Sequence, residues 1–130
     1  MLTKALLGIL VLELLSEVVS SFIAIFTPAW GLEAFHVQVS ADTLFLSFVL
    51  GLVFTFVSSI IFLAIYYIYK SAGFGWHLSC VLGVFWIVFG GSLFAVYGRI
   101  ENLYLDFCPG LITTALAYFS YRKDGVKIEN

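Results

Sequence analysis

The sequence predicts an all-α integral membrane protein, an antiparallel bundle of four transmembrane helices with both termini cytoplasmic. Three observations carry that expectation. Of the 130 residues, 62% are hydrophobic and 11% charged, with a mean hydropathy of +1.09; in soluble proteins charged side chains alone make up about a quarter. The apolar residues gather into four runs of roughly 17 to 26, the length that crosses about 30 Å of hydrocarbon at about 1.5 Å per residue. Positive charge also alternates between the breaks: Lys4, Lys70, Arg122, Lys123 and Lys127 fall on one side and only Arg99 on the other, which the positive-inside rule reads as cytoplasmic termini.

Span 1 is expected at about 2–26. It ends at Thr27 because Pro28 disfavours helical geometry in its predecessor. Lys4 ahead of an apolar stretch imitates a signal peptide, but the run is too long, carries two glutamates and lacks a small-residue cleavage site, so it is read as a retained span. The segment Gly31 to Asp42 fits a helical stripe and an alternating pattern equally well, and an interfacial half-helix is preferred.

Ser40 or Asp42 can cap span 2, at about 44–69. Within it Ser47, Gly51, Thr55 and Ser59 recur every fourth position, the spacing that lets membrane helices approach closely. A turn over Ser71 to Gly75 leads to span 3, at about 76–97, where Ser79/Gly83 and Gly91/Ala95 are further small pairs. Connections this short place successive helices side by side and antiparallel.

After a polar loop from Gly98 to Leu105, Asp106 reads as an N-cap, with Pro109 tolerated in the first turn of span 4, at about 105–121. Gly110 opens this span's small-residue face. Trp30, Tyr97 and Tyr104 mark the outer interface, and Tyr66, Tyr67, Tyr69, Trp76, Tyr118 and Tyr121 the inner one. One membrane domain is expected over the whole chain.

The candidate site begins with Glu13 and Glu17 in the middle of span 1. Their spacing of four puts both on one helix face together with Ser16 and Ser20. The same depth in the other spans holds Thr55, Ser58, Ser59, Trp86, Thr113 and Thr114, which implies a polar layer shared by all four. A charge at the bilayer centre costs at least about 2.5 kcal/mol, and no Lys or Arg stands at that depth. Burial and mutual repulsion both penalise the charged form, so at least one of the pair is expected to carry a proton at neutral pH.

Two roles follow. The layer can serve association, through hydrogen bonds and the small-residue seam Ser47, Gly51, Gly83, Gly91 and Gly110; this makes the protein a non-catalytic accessory or self-associating subunit. Alternatively Glu13 and Glu17 bind a proton or small ligand, as in a proton-coupled carrier. The indole N–H of Trp86 needs an acceptor, which either glutamate can supply.

Enzymatic readings lack a nucleophile elbow, a paired Ser and His or a metal-ligand cluster, and no cofactor or metal is expected. Cys80 and Cys108 fall near opposite faces, as do His36 and His77, so neither a disulfide nor a shared metal is expected. Arg99 and Glu101 at the outer end of span 3 can form an ion pair or anchor a periplasmic partner, and a solvated rim is the preferred reading. With a net charge of −2 and no basic cluster, nucleic acid is not an expected partner. The expected partners are the lipid bilayer, further copies of the chain and other membrane subunits.

Four spans, a first-span glutamate and the string Glu17-Val18-Val19-Ser20-Ser21 resemble the small multidrug resistance transporters. Span 3 lacks their Pro and Ala-Tyr-Ala-type motif, span 4 is shorter on dimerising glycines, and the one-sided charge opposes their dual orientation. The layout is similar to that of the small bacterial DoxX-like four-span proteins, in Pro28 closing span 1, Asp42 before span 2 and Gly51 inside it. That resemblance implies a four-span fold and assigns no active residue. The expected location is the bacterial inner membrane, with the chain crossing several times.

Overall fold

The computed structural model describes residues 1–98 and 100–125. Among these every regular element is helical: α1 (Leu2–Phe26), α2 (Pro28–Ala34), α3 (Ala41–Tyr69), α4 (Gly73–Tyr97) and α5 (Cys108–Ser120). α1, α3 and α4 are each long and apolar enough to cross a membrane; α5 is shorter. Arg99 and Lys127, which entered the charge pattern above, lie outside the described residues.

Where helices end, the backbone explains why. Ser40 is the cap of α3: its Oγ accepts from the Thr43 N–H at 3.2 Å while Thr43 Oγ1 accepts from the Ser40 N–H at 2.8 Å. This reciprocal pair satisfies two donors that a helix start leaves open. α3 closes in a Schellman motif, in which the Ser71 N–H bonds Ile68 O and the Ala72 N–H bonds Tyr67 O, both at 2.9 Å. That motif puts Ser71 in the left-handed region at φ 56°, normally a glycine position.

His36 ends α2 in the same way. It stands at φ 56°, with its N–H on Glu33 O and the Val37 N–H on Leu32 O. The half-helix expected over Gly31 to Asp42 is therefore shifted toward the N-terminus. Pro28 starts α2 because a first-turn proline gives up no helical bond, and residues 37–40 are non-helical.

Two boundaries differ more. α4 starts at Gly73, so Gly73 to Gly75 of the expected turn are helical and the connection from α3 is Lys70, Ser71 and Ala72. The polar loop expected over Gly98 to Leu105 is already helical from Glu101, and Asp106 does not cap a helix. It lies inside a π-helical turn, Leu103–Phe107, where its Oδ2 accepts from Asn102 Nδ2 at 2.7 Å. The Cys108 N–H bonds Leu103 O, five residues back. The widened turn includes Leu105, whose carbonyl the Pro109 ring would meet in a regular α-helix. A second π turn, Tyr121–Gly125, follows α5.

The chain packs as two units, Met1–Val11 with Ile61–Asn130, and Leu12–Ile60. The boundaries fall inside α1 and α3. In the first unit, α4 and α5 run antiparallel, with Trp76 bonded to Ser120, Gly83 against Gly110 and Gly90 against Phe107. Its buried residues include Leu6, Leu10, Ile61, Ala64, Ile68, Trp76, Leu82, Trp86 and Ala117. Trp76 was expected among interfacial aromatics, yet it is 2% exposed and donates its indole N–H to Ser120 Oγ at 2.9 Å. An indole whose N–H has a partner can be buried without a desolvation penalty left over.

In the second unit, α1 and α3 meet through small residues. A Cβ on Gly51 would stand 2.6 Å from Ile25 Cγ1 and 3.1 Å from Ala24 Cβ. α2 folds back onto α1, where a Cβ on Gly31 would come within 2.8 Å of Ile23 Cγ2.

Candidate functional site

The residues singled out in the sequence divide between the units. Glu13, Glu17, Thr55, Ser58 and Ser59 belong to the second, and Trp86, Thr113 and Thr114 to the first.

In the second unit, Glu13 and Glu17 stand one helical turn apart on α1. One carboxyl oxygen of each, Oε2, is shielded from solvent, while each residue as a whole is only partly covered. Ser16 between them is exposed, and Ser20 on the same face is half-buried. The polar stripe of α1 is thus incompletely covered by the chain's own atoms.

One turn beyond Glu17, Ser21 joins α1 to α3. Its Oγ lies 3.0 Å from Gly51 O and 2.6 Å from Thr55 Oγ1, and Thr55 Oγ1 is itself 2.9 Å from Gly51 O. Two hydroxyl protons serve these three contacts, so only two are hydrogen bonds at once. Ser21 is not among the residues the polar layer was expected to use, although it is the next residue on the face defined by Glu13, Glu17 and Ser20. Ser47 Oγ makes a further crossing bond, to Ala24 O at 3.3 Å.

The remaining hydroxyls turn to their own helix. Ser58 donates to Phe54 O at 2.8 Å and Ser59 to Thr55 O at 3.0 Å. Ser58 is buried, whereas Thr55 and Ser59 are exposed. A hydroxyl that gives its only proton to the carbonyl one turn back retains lone pairs and no donor. Ser58 and Ser59 therefore present acceptors.

In the first unit, Thr114 donates to Gly110 O at 2.8 Å, and Cys80 Sγ approaches Thr114 O at 4.0 Å. Thr113 is fully buried. Trp86, 5% exposed, packs edge-on against Phe85 and Phe89 with ring centroids 5.0 and 5.8 Å apart.

The glycines define how closely α4 and α5 approach. A Cβ on Gly83 would collide with Thr114 Oγ1 and stand 2.8 Å from Gly110 O; one on Gly110 would stand 2.7 Å from Gly83 O. Gly91 is different, since its Cβ would meet only the Phe107 ring, at 3.6 Å. The tight position is its neighbour Gly90, where a Cβ would lie 2.7 Å from Phe107 N and 2.8 Å from Asn102 O. The four-residue spacing points to Gly91, which has Ala95 one turn on, whereas Gly90 has Trp86 and Phe94 at those positions and lies instead seven residues after Gly83, on the face that meets α5.

His77 Nδ1 pairs with Gly73 O at 2.9 Å, and its ring stands edge-on to Tyr121 at 4.8 Å. Among the described residues, no three His, Cys, Asp or Glu side chains stand together in a way that could hold a metal ion. Comparison with protein-family models, with curated proteins and with solved structures finds no match for this chain.

Proposed function

We propose that the protein is a small multi-pass membrane component without catalytic activity, working as a subunit that associates laterally with further copies of itself or with other membrane chains. In this reading α1, α3, α4 and the helical segment from Glu101 to Gly125 are four antiparallel spans, with both termini cytoplasmic.

The observation that supports it is the polar stripe of α1. Glu13 and Glu17 are partly covered and Ser16 is exposed, in the middle of a helix suited by length and composition to hydrocarbon. Lipid tails cannot solvate a carboxyl group. A second helix laid along the stripe covers it and supplies hydrogen-bonding groups, each such bond contributing about 0.6 to 2 kcal/mol.

The test uses a chain whose Cys80 and Cys108 are replaced by Ser and whose Ser16 is replaced by Cys. Oxidation in native membranes should give a crosslinked species, and mass measurement in mild detergent should give more than one chain. Glu13→Gln with Glu17→Gln should reduce the assembled fraction several-fold. A monomer that neither crosslinks nor responds to the double substitution defeats the reading.

A second reading is favoured by the direction of the hydroxyls. Ser58 and Ser59 offer lone pairs in the same unit as Glu13 and Glu17, a unit without Lys or Arg, and acceptors without a competing cation suit a proton or a small cation. Proton-linked uptake into liposomes that is abolished by Glu13→Gln or Glu17→Gln, with assembly intact, selects this carrier reading over association.

A further inference from the structure

One end of the first unit concentrates its positive charge. Thr3 Oγ1 donates to Asp124 Oδ2 at 2.6 Å, which brings the start of α1, and with it Lys4, beside the end of the α5 segment carrying Arg122 and Lys123. Trp76 bonded to Ser120 fixes the start of α4 against the same end of α5. Lys70 opens the three-residue turn, 70–72, into α4. Four exposed cations from three parts of the chain therefore share one end, and Asp124, engaged by Thr3, is its one described carboxylate.

Two of these cations are held in a particular way. Lys70 Nζ lies over the Tyr66 ring at 5.9 Å from its centroid, and the Arg122 guanidinium over the Tyr118 ring at 5.8 Å. Each pair is one helical turn apart, and both rings are about half exposed, Tyr66 at 47% and Tyr118 at 51%. The apolar stems are laid along aromatic faces and the charges sit at helix ends, the arrangement of side chains at a membrane interface. At the other end of α4 and α5 the described charges are Glu101 and Asp106, so charge is polarised along the unit's axis among the described residues.

We propose that Lys4, Lys70, Arg122 and Lys123 form a binding surface for the phosphate headgroups of anionic glycerophospholipids. A phosphodiester with net negative charge meets several exposed cations, while Tyr66 and Tyr118 lie against the glycerol and upper acyl region. Zwitterionic lipid carries a choline cation that the same surface repels. The inference rests on the membrane reading and is separate from the role of Glu13 and Glu17.

The experiment is native mass spectrometry of the delipidated full chain in neutral detergent, titrated with phosphatidylglycerol, with phosphatidylcholine, or with inorganic phosphate as competitor. Phosphatidylglycerol should bind at least about tenfold more tightly than phosphatidylcholine. Lys70→Gln with Arg122→Gln should remove about tenfold of that preference, below the roughly thirtyfold that two surface cations supply at full strength, whereas Arg122→Lys should retain most of it. Tryptophan fluorescence melting of each variant, all changed at exposed positions, establishes that the fold is kept.

Equal binding of the two lipids, or an unchanged preference in the double variant, overturns the proposal. Displacement of phosphatidylglycerol by low millimolar inorganic phosphate also overturns it, as a free-anion site. Partition of the chain into the aqueous phase without detergent defeats the membrane reading itself, which distinguishes the two failures.

Discussion

At the scale of single residues, the contact between α4 and α5 depends on positions that have no side chain. Gly83 and Gly110 face each other's carbonyl at distances where a methyl group cannot fit, and the obstacle is backbone, which cannot rotate aside. Gly83→Ala or Gly110→Ala should therefore cost about 1 to 3 kcal/mol through forced separation of the helices. Gly91→Ala, which meets only the Phe107 ring at 3.6 Å, should change stability by less than about 0.5 kcal/mol. Denaturation by increasing sodium dodecyl sulfate, followed by tryptophan fluorescence, compares the three directly. Equal effects at Gly83 and Gly91 would refute the assigned contact.

At the scale of elements, helix ends are set by backbone bonds that local sequence partly encodes. Ser40 and Thr43 form a reciprocal cap at the start of α3, while Ser71 ends it with a positive φ. A non-glycine residue in that region is strained by roughly 1 to 2 kcal/mol. Ser71→Gly is expected to stabilise the fold by about 1 kcal/mol in the same denaturation assay. Ser71→Ala should give no such gain, because the Cβ that causes the strain remains. The segment before α5 shows the opposite case, in which Pro109 is accommodated by widening the preceding turn and leaving Asp106 to pair with Asn102.

At the scale of the whole molecule, the proposed orientation can be read chemically. In a chain with Cys80 and Cys108 changed to Ser, Ser71→Cys should react with an impermeant maleimide only after the inner face is opened. Glu101→Cys should react in intact cells. Reversed labelling would overturn cytoplasmic termini, and labelling of both sites from outside would show mixed insertion.

The helical class and the placement of α1, α3 and α4 are legible in the order of residues, because long apolar runs between polar breaks have few other ways to satisfy their backbone groups. That order also brings out Glu13 and Glu17, since two carboxylates in such a run stand out from any neighbour. Tertiary structure decided the rest. Trp76 was legible as an interfacial aromatic but is buried by a bond to Ser120, 44 residues away; Gly90 rather than Gly91 takes the close approach; and Ser21 reaches Thr55 across 34 residues. Each depends on which face of one helix meets another, and periodicity within a uniformly apolar helix carries almost no information about that choice.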